Sequence, residues 1–533
     1  MAEPASMIDK LWFLIPEIVL FGGVVVVSVM GLARRRIVRD AVPLVVCVFL
    51  VAAMAVIPFL YGHDRVFDEL GRSRAGLLMP LLGRYVKLVV CAVGILLAMM
   101  SVWLTDRKLE AAVASGRARF DPIRVSRGEY FAFFLLSLIG VMLVCNANDL
   151  IWLFLALELT SLPTYIMVAI SRPSAKALEA AVKYFFLGAL SAGMFLYGFA
   201  LLYGASGTIV LTEMRDVFAE QAAAGGLNSI ALIGMLISLL GVSFKIVAVP
   251  MHFYAADVYE GAAAPVTAFL AFVPKTAGIL AIMLLVSTVG YGGRTAAGIE
   301  GLPQPIMVAL WMICVLTMTL GNVGALLQRS AKRLLAYSSI AHSGYLLIGI
   351  IAGPALGFDA VLFYLLAYGV MNTAAFAVLA GLQRRGEEIE SLDDLAGLRA
   401  RHPAMAVVMA LAALSLVGFP PLLGFWGKLS VFIAGVEAGR IALVVIALIN
   451  SAISAYYYLW LVGLPILAMP NAQSQTVVKS KVVWPRVAAV LAAVAVVVLP
   501  FFAQRLLSGS QGVGTPPAQQ PLADSQRARA DSQ

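Results

Sequence analysis

Long apolar runs that recur along almost the whole chain constrain the fold of this protein more than any other feature. A helix needs roughly 20 apolar residues to cross a bilayer, and only helices and closed barrels satisfy their backbone polar groups inside lipid. We number the runs spans 1 to 14, and the sequence predicts an all-α polytopic membrane protein with about 14 transmembrane helices. In chain order they lie at 11–33, 41–61, 84–104, 129–147, 149–170, 182–205, 227–250, 265–290, 304–325, 333–353, 358–381, 403–432, 440–465 and 483–503.

The composition agrees with this class and narrows the function. Hydrophobic residues make up 62% of the chain and charged residues only 13%, against about 25% charged residues in soluble domains. The net charge of +9 is carried largely by short loops, so it indicates membrane orientation and does not indicate nucleic-acid binding. The four cysteines form no CxxC pair, and no nucleotide-binding loop or dinucleotide fingerprint occurs. We therefore expect no metal or iron–sulfur site and no redox or ATP chemistry on this chain.

The basic residues also predict how the chain lies in the membrane. Arginine and lysine accumulate in the loops after spans 1, 3, 9 and 11, although the loop after span 2 also contains three arginines. By the positive-inside rule, the odd-numbered loops face the cytoplasm and both termini face the other side. The first run carries Glu17 and lacks a cleavage-site pattern, so we interpret it as a retained span and not as a signal peptide.

Two parts of the chain resemble each other. Span 7 contains Lys245 and is interrupted by Pro250, while span 12 contains Gly418, two prolines and Lys428. Spans 6 and 11 also show a weak similarity, and partners five spans apart run in opposite directions. This arrangement is typical of inverted-repeat transporters with broken helices, although proline and glycine are common in membrane helices anyway. The predicted domains are a three-helix segment (1–128), a first five-helix repeat of spans 4–8 (129–290), an inverted second repeat of spans 9–13 (304–465), a final span (466–503) and a disordered polar tail (504–533).

Four ionisable residues lie at membrane depth: Glu158, Lys245, Lys275 and Lys428. A charged side chain at the centre of a bilayer costs roughly 2.5–3.5 kcal/mol on insertion scales, so such residues often belong to ion or proton pathways. A buried carboxylate and a buried lysine can exchange a proton, because burial and pairing change how readily each group holds it. The lysines could instead snorkel towards helix ends, and the glutamate could form a static ion pair.

Three further residues are weaker candidates for proton transfer. His252 follows the break in span 7, and His342 lies in span 10. Histidine suits proton relay because its unperturbed pKa is about 6.5, but each of these two could equally be a packing residue. Lys183 begins span 6 close to Glu179, where it could admit protons from the cytoplasm or anchor the helix at the lipid headgroups.

Several long motifs, in order along about residues 129–465, resemble one known family. That family is the antiporter-like membrane subunits of respiratory complex I (NADH:quinone oxidoreductase). The motifs are Glu158-Leu-Thr-Ser-Leu-Pro-Thr-Tyr165, Lys183-Tyr-Phe-Phe-Leu-Gly188, Phe244-Lys245-Ile-Val-Ala-Val-Pro250-Met-His252, Pro274-Lys275, Arg333-Leu-Leu-Ala-Tyr337-Ser-Ser-Ile-Ala-His342 and Gly418-Phe-Pro420-Pro-Leu-Leu-Gly424-Phe-Trp-Gly-Lys428.

The resemblance implies a role for each of the four main candidates. In that family the glutamate of span 5 and the lysine of the broken span 7 form the proton-handling pair, which here means Glu158 and Lys245. The lysine of span 8 relays protons towards the centre (Lys275), and the lysine of the broken span 12 serves the distal half-channel (Lys428). The family binds no redox cofactor on this type of subunit. NADH, FMN, iron–sulfur clusters and quinone are therefore expected on partner subunits.

The resulting expectation is a proton-translocating subunit of NADH:quinone oxidoreductase in the bacterial cytoplasmic (inner) membrane. Its partners would be the other membrane subunits of complex I and the lipid bilayer, with no nucleic acid. Two alternatives remain open. A subunit of a sodium/proton antiporter assembly would share the broken-helix lysines, and a structural membrane spacer would hold the same residues as inert ion pairs.

Overall fold

Helices dominate the architecture of the chain. A computed structural model describes residues 11–33, 35–62, 66–67, 73, 75–102, 115–117, 128–290, 293–294, 300–355, 357–384 and 387–510. In this part of the chain, 11 helices are long and apolar enough to cross a membrane. Spans 1, 7 and 12 are built from shorter helices, so the predicted spans all occur in the predicted order. The prediction of an all-α polytopic membrane fold is confirmed.

Most helices begin and end within a few residues of the predicted limits of the spans, but span 6 begins at Ala175 and not at the predicted residue 182, and span 7 also differs. Two further helices, Arg36–Asp40 and Leu211–Ala223, lie between spans. The spans are Ile15–Gly31, Val42–Leu60, Leu82–Ser101, Gly128–Cys145, Leu150–Ile170, Ala175–Ser206, Ser229–Ser243 with Ala255–Gly261 (span 7), Ala264–Val289, Gln304–Leu326, Ala331–Ala352, Gly357–Gly381, Pro403–Val417 with Leu423–Glu437 (span 12), Ile441–Ile466 and Trp484–Val498. A 3-10 turn, Leu499–Phe502, and the helix Ala503–Ser510 continue the last span.

Short strands and 3-10 turns occupy the loops. Leu382–Arg384 pairs antiparallel with Glu387–Glu388 and with Val477–Lys479, which joins the end of span 11 to the loop between spans 13 and 14. Gly293–Arg294 pairs with Glu300–Gly301 in a second small sheet. The 3-10 turns are Leu392–Leu395, Leu398–Ala400, Ser474–Thr476 and Leu499–Phe502.

Spans 8 and 11 form the centre of the molecule. Every residue of these two helices is buried. In spans 2, 6 and 14, by contrast, only 33% of the residues in the most apolar stretch are buried. Span 8 contacts spans 3, 4, 5, 7, 10 and 11, and span 11 contacts spans 3, 8, 10, 12 and 14. A helix that is apolar all round and buried all round faces protein on every side. These two helices therefore place their polar residues in the interior and away from lipid.

The break in span 7 has a local cause at three residues. The backbone N–H of Lys245 donates to Val242 at 2.9 Å, which tightens the last turn of the helix. Val247 then adopts a φ of 58°, in the left-handed region that a β-branched residue rarely occupies. Pro250 has no N–H with which to resume the helix. The chain becomes helical again only at Ala255.

Backbone groups released by the break find partners inside the protein. Val249 N–H donates to Thr317 Oγ1 in span 9 at 2.9 Å, and the hydroxyl of Tyr254 donates to the carbonyl of Phe244 at 2.9 Å. Irregular backbone at membrane depth requires such partners, because lipid offers none. The break is therefore stabilised by specific hydrogen bonds within the protein.

Span 12 is broken in a similar place but in a different way. Its first helix ends at Val417 and is capped by Gly418, which takes a left-handed φ of 92° as a glycine can. Pro420 and Pro421 follow, and the second helix begins at Leu423. The Val249–Pro250 and Pro420–Pro421 peptide bonds are both cis. Spans 7 and 12, the fourth helices of the two repeats predicted at 129–290 and 304–465, are thus both broken.

The structure differs from the prediction at the end of span 7 and at the start of the C-terminal tail, and two predicted segments lie outside the described residues. Span 7, predicted to end at residue 250, continues to Gly261. The tail, predicted to be polar and disordered from residue 504, begins with the helix Ala503–Ser510, because Leu506 and Leu507 pack against the apolar core. Residues 511–533 lie outside the described residues, as does the loop 106–128 apart from 115–117 and Gly128.

Candidate functional site

Glu158 and Lys245 form a buried ion pair between span 5 and the break in span 7. Lys245 Nζ lies 2.9 Å from Glu158 Oε1 and donates to Ser161 Oγ at 2.6 Å. The side chain of Lys245 is 1% exposed and that of Glu158 is 15% exposed. Residues 158 and 161 are one helical turn apart, so both oxygens lie on the same face of span 5. An ammonium removed from lipid and water in this way needs such a partner to be tolerated.

The surroundings of Lys245 are closely packed. Its ammonium lies 5.5 Å from the centre of the Phe195 ring in span 6. Gly278 in span 8 faces the break, and a Cβ at this glycine would lie 2.9 Å from Lys245 Cβ. Real Cβ atoms do not approach so closely, so only glycine allows span 8 to pack directly against the broken helix here. The position of Lys245 is therefore coupled to span 8, which also carries Lys275.

Lys275 is fully buried in the middle of span 8. Its Nζ donates to the hydroxyl of Ser339 in span 10 at 2.7 Å and also to the carbonyl of Ser339. The ring of Tyr368 in span 11 lies 4.5 Å from the ammonium, a cation–π distance. In the described part of the chain no carboxylate pairs with Lys275. Neutral oxygens and an aromatic ring thus replace the counter-ion that Lys245 has.

His342 lies between two tyrosine hydroxyls in the interior. Nδ1 is 2.7 Å from the hydroxyl of Tyr364 in span 11, and Nε2 is 2.9 Å from the hydroxyl of Tyr458 in span 13. The Tyr458 hydroxyl is also hydrogen-bonded to Ser338. Both ring nitrogens therefore have a partner that can either donate or accept, which is the arrangement that allows a histidine to exchange tautomers.

Lys428 lies in the second helix of span 12 and contacts both sides of the break. Its Nζ donates to the carbonyl of Val417 at 2.8 Å, at the end of the first helix, and to Ser451 Oγ in span 13 at 3.1 Å. The ring of Tyr345 in span 10 lies 4.9 Å from the ammonium. Lys428 is 4% exposed as a residue, Lys245 is 2% exposed and Lys275 is 0% exposed. The snorkelling alternative needs exposed ammonium groups, and these three lysines do not provide them.

Hydrogen bonds and ring contacts connect these separate sites through span 10. Ser343 donates to the carbonyl of Ile246, beside Lys245, and lies 3.2 Å from the Ser339 carbonyl that Lys275 also reaches. The His342 ring is 5.1 Å from the ring of Tyr368, which faces Lys275. It is also 5.8 Å from the ring of Tyr345, which faces Lys428. The structure therefore brings Glu158, Lys245, Lys275, His342 and Lys428 into one polar series across the interior.

Lys183 and His252 are not part of this series. Lys183 pairs with Glu179 at 2.8 Å and with Asp257 at 3.0 Å, and its side chain is 42% exposed. Asp257 also pairs with Arg333 of span 10 at 2.9 Å. His252 contacts Phe253, and in the described part of the chain none of its hydrogen bonds or ring contacts is with an interior lysine. Lys183 belongs to a charged cluster at the rim, and His252 lies at the edge of the break.

Comparison with known proteins assigns the chain to a family. A family model described as "NADH:quinone oxidoreductase/Mrp antiporter, TM" matches residues 147–454. The chain belongs to this family. It is 43% identical over 342 residues to the NADH-quinone oxidoreductase subunit N of Paramagnetospirillum magneticum, an alignment that covers 64% of this chain and 68% of the relative. The residues 147–454 matched by the family model include every lysine, glutamate and histidine of the interior series.

Solved structures of the family have the same fold. A chain of respiratory complex I from Thermus thermophilus with bound aureothin superimposes with a TM-score of 0.73 at 30% identity, covering 93% of this chain and 100% of that one. A chain of the Mrp complex from a Dietzia species gives a TM-score of 0.74 at 21% identity, covering 96% and 97%. This second likeness extends to the fold alone. The membrane-embedded architecture is therefore shared by the two branches that the family description names.

The structure also adds residues that the sequence did not single out. Ser161, Ser339 and Ser451 bind the three interior ammonium groups, and Tyr345 and Tyr368 lie against two of them. Serine and tyrosine are common in membrane helices, so only three-dimensional packing selects these copies. Among the described residues, no group of three or more His, Cys, Asp or Glu side chains is placed to hold a metal ion.

A second buried ion pair lies outside the interior series. Lys87 Nζ in span 3 is 2.7 Å from Glu17 Oε1 in span 1, and the side chains are 0% and 5% exposed. Lys87 also donates to the carbonyl of Phe13 at 2.7 Å, and Asn146 donates to Glu17 Oε1 at 3.0 Å. Lys87 falls within the apolar run 84–104, and a lysine inside such a run is the signal that would have found it.

Proposed function

We propose that this chain is a proton-translocating, antiporter-like membrane subunit of respiratory complex I, coupling electron transfer in partner subunits to proton movement. The observation that carries the proposal is the Glu158–Lys245 pair at a helix break, continued by hydrogen bonds and ring contacts to Lys275, His342 and Lys428. A purely structural ion pair has no need of this continuation. Relatives at 43% and 39% identity carry the name NADH-quinone oxidoreductase subunit N, which favours complex I over an Mrp antiporter.

The mechanism begins with the interaction between Glu158 and Lys245. While the two groups are 2.9 Å apart, each charge stabilises the other and Lys245 keeps its proton. A movement transmitted from a neighbouring subunit separates them, and the unpaired buried ammonium then gives up its proton more readily. Val247 marks the break as a place where the backbone is held in an unfavourable conformation, which suits a segment that moves.

The proton then passes along the interior series. Lys275 receives it, and the two oxygens of Ser339 accept hydrogen bonds from the ammonium that results. His342 lies between Lys275 and Lys428, with a hydroxyl on each ring nitrogen, and acts as the relay. Lys428 delivers the proton to the far side through the break in span 12. Lys183, in its rim cluster with Asp257 outside the series, marks the cytoplasmic-side region where protons would enter, and His252 lies in the non-helical segment between the two helices of span 7.

The surroundings of the subunit follow from this role. Its partners are the other membrane subunits of complex I, within the bacterial inner membrane. The chain itself binds no redox cofactor in this proposal, so NADH, FMN, iron–sulfur clusters and quinone belong to partner subunits. The loops rich in arginine and lysine face the cytoplasm, which puts both termini on the opposite side.

The deciding experiment compares three variants in the assembled complex, reconstituted into vesicles. Lys245→Met removes the carrier, Glu158→Gln with Lys245→Met removes both charges, and Lys481→Met changes an exposed loop lysine as the matched control. NADH-driven quinone reduction and vesicle acidification are measured together, so that protons are counted per electron. The ratio is expected to fall in the first two variants and to stay normal in the third.

The double variant separates a proton carrier from a static ion pair. Removing both charges avoids an unpaired buried glutamate, so the double variant should assemble better than Lys245→Met alone. A normal proton ratio in the assembled double variant would refute the mechanism. The antiporter alternative is tested by purifying the complex through a tag on this chain. Recovery without NADH-oxidising and quinone-reducing partners, and with sodium-dependent proton exchange, would establish that alternative instead.

A further inference from the structure

A groove with basic residues at one end lies between the beginnings of spans 12 and 14. Its volume is about 410 Å³. It opens at the end of the molecule where the loops after spans 11 and 13 meet, the side predicted to be cytoplasmic. We call it the basic groove and define it by His402, Met405, Lys479, Arg486, Val487 and Leu491.

The walls of the basic groove are apolar, and the wall formed by span 14 faces outwards. Val490 and Leu491 in span 14 are 40% and 47% exposed, and Met405 in span 12 forms the opposite wall. Trp484, about two turns before Leu491 in the same helix, is 51% exposed. Tryptophan is enriched where membrane helices meet the lipid headgroups. The apolar part of the groove is therefore a surface for hydrocarbon chains.

The mouth of the groove is positively charged and lacks counter-ions. No ion pair is formed by Lys479 or Arg486 within the described residues, whereas nearby Arg384 pairs with Asp394 at 3.1 Å. The Nε of Arg486 is buried without a hydrogen-bond partner, although its Nη2 donates to the carbonyl of Ser480 at 3.2 Å. Two cations at one opening, one of them with an unused donor, favour an anionic occupant.

His402, which lines the groove, is surrounded by the same positive charges. It is only 9% exposed, with Nε2 at 3.2 Å from the carbonyl of Val477, and its Nδ1 is buried without a partner. Burial lowers the pKa of His402, and Lys479, Arg401 and Arg486 lower it further against the effect of the Val477 carbonyl. Three cations close enough to act on one imidazole define a concentrated positive patch.

We propose that the basic groove binds one anionic phospholipid, with the phosphate at Lys479 and Arg486 and the acyl chains against Val487 and Leu491. The groove joins a positive mouth to an apolar wall, which matches a lipid with both parts and does not match free phosphate. Basic pockets between membrane helices on the cytoplasmic side are known to select anionic headgroups. The bound lipid would hold span 14 against the first helix of span 12. That helix ends at Val417, whose carbonyl accepts a hydrogen bond from Lys428.

The test uses the assembled complex in detergent with a photoactivatable phosphatidylglycerol that carries its reactive group on an acyl chain. Cross-linked peptides are identified by mass spectrometry, and unlabelled phosphatidylglycerol, phosphatidylcholine or inorganic phosphate is added as competitor. Label is expected on the peptide containing residues 483–491. Phosphatidylglycerol should compete at least tenfold better than phosphatidylcholine, and inorganic phosphate should not displace the label.

Two variants locate the headgroup. A basic residue near an anionic headgroup contributes about a fivefold gain in affinity, so Lys479→Gln with Arg486→Gln should weaken labelling about thirtyfold. Arg399→Gln with Lys481→Gln removes two exposed charges from the same side but outside the groove, and labelling should persist. Equal competition by phosphatidylcholine, label confined to other helices, or no label because a partner subunit covers the groove would each overturn the proposal. The lipid competition on the unmutated complex keeps the test decisive if the variants fail to assemble.

Discussion

Replacing Lys87 should destabilise the chain strongly, and a second substitution at Glu17 should restore part of the loss. Lys87 is fully buried and is the only cation bound to Glu17 within the described residues. Lys87→Met leaves a buried carboxylate whose remaining donor is Asn146, at 3.0 Å. Breaking a buried pair in this way costs about 3–5 kcal/mol. Glu17→Gln with Lys87→Met keeps the Asn146 hydrogen bond and removes the buried charge. It leaves two neutral groups without partners, the Phe13 carbonyl and the new amide N–H in place of Oε2, at about 1 kcal/mol each.

The two variants should therefore differ by about 2 kcal/mol, or about thirtyfold in the unfolded population. The assay is thermal dissociation of the purified complex, followed by the fraction of this chain that stays assembled at each temperature. Equal loss in both variants would refute the account of Glu17 as the destabilising group. The proton ratio of the assembled double variant provides a second readout. It should be normal, because no hydrogen bond or ion pair in the described residues connects this pair to Lys245, and a fallen ratio would make Glu17 and Lys87 proton carriers.

Three further predictions test the interior and the loops. Gly278→Ala should displace Lys245, destabilise the fold by about 1–3 kcal/mol and lower the number of protons pumped per electron. Gly204→Ala is the control, because a Cβ there meets nothing within 4 Å. An unchanged proton ratio in both variants would contradict the coupling of span 8 to the break. His342→Phe should stop proton transfer while electron transfer continues, because a phenyl ring between Tyr364 and Tyr458 can neither accept nor donate a proton. Protons pumped per electron measure this, and a normal ratio would contradict the relay role of His342. Burial acts to raise the pKa of Glu390, but Lys332 and Arg172 outweigh it and hold that pKa below its usual range. The stabilisation is therefore present above the unfolded-state pKa and is lost as pH falls through the folded-state value, so acid should lower the thermal midpoint more in the unmutated chain than in Glu390→Gln.

The sequence contains most of the information on the membrane spans. Apolar runs of full length located spans such as Ala264–Val289 to within one or two residues, since a bilayer imposes a length that soluble cores do not. Proline at 250 and glycine at 418 marked the two breaks. The bounds of the broken helices were less accessible, because the short helix Ala255–Gly261 is held by contacts with spans 6 and 10 that no local pattern reveals.

The candidate site was predicted in part. An isolated charge in an apolar run is conspicuous, so Glu158, Lys245, Lys275 and Lys428 could be named from sequence, and their proton-transfer roles remain predictions. Their neutral partners could not be named, because Ser339 meets Lys275 only after spans 8 and 10 pack together, 64 residues apart in sequence. The correspondence between the breaks in spans 7 and 12 is also imperfect. Lys245 lies in the break itself, whereas Lys428 lies one turn into the second helix, and the difference depends on backbone geometry at Val247 and Gly418.

The complete enclosure of spans 8 and 11 has a consequence for how the chain is made. Synthesis delivers span 8 to the membrane before spans 10 and 11, which supply Ser339 and Tyr368 to Lys275. During that interval the ammonium has none of its final partners, and the bilayer offers no substitute. Span 8 must therefore remain in contact with other protein, either earlier helices of the chain or the insertion machinery, until spans 10 and 11 are inserted. A chain truncated after span 9 should therefore insert into the membrane poorly, although it contains all of spans 4–8.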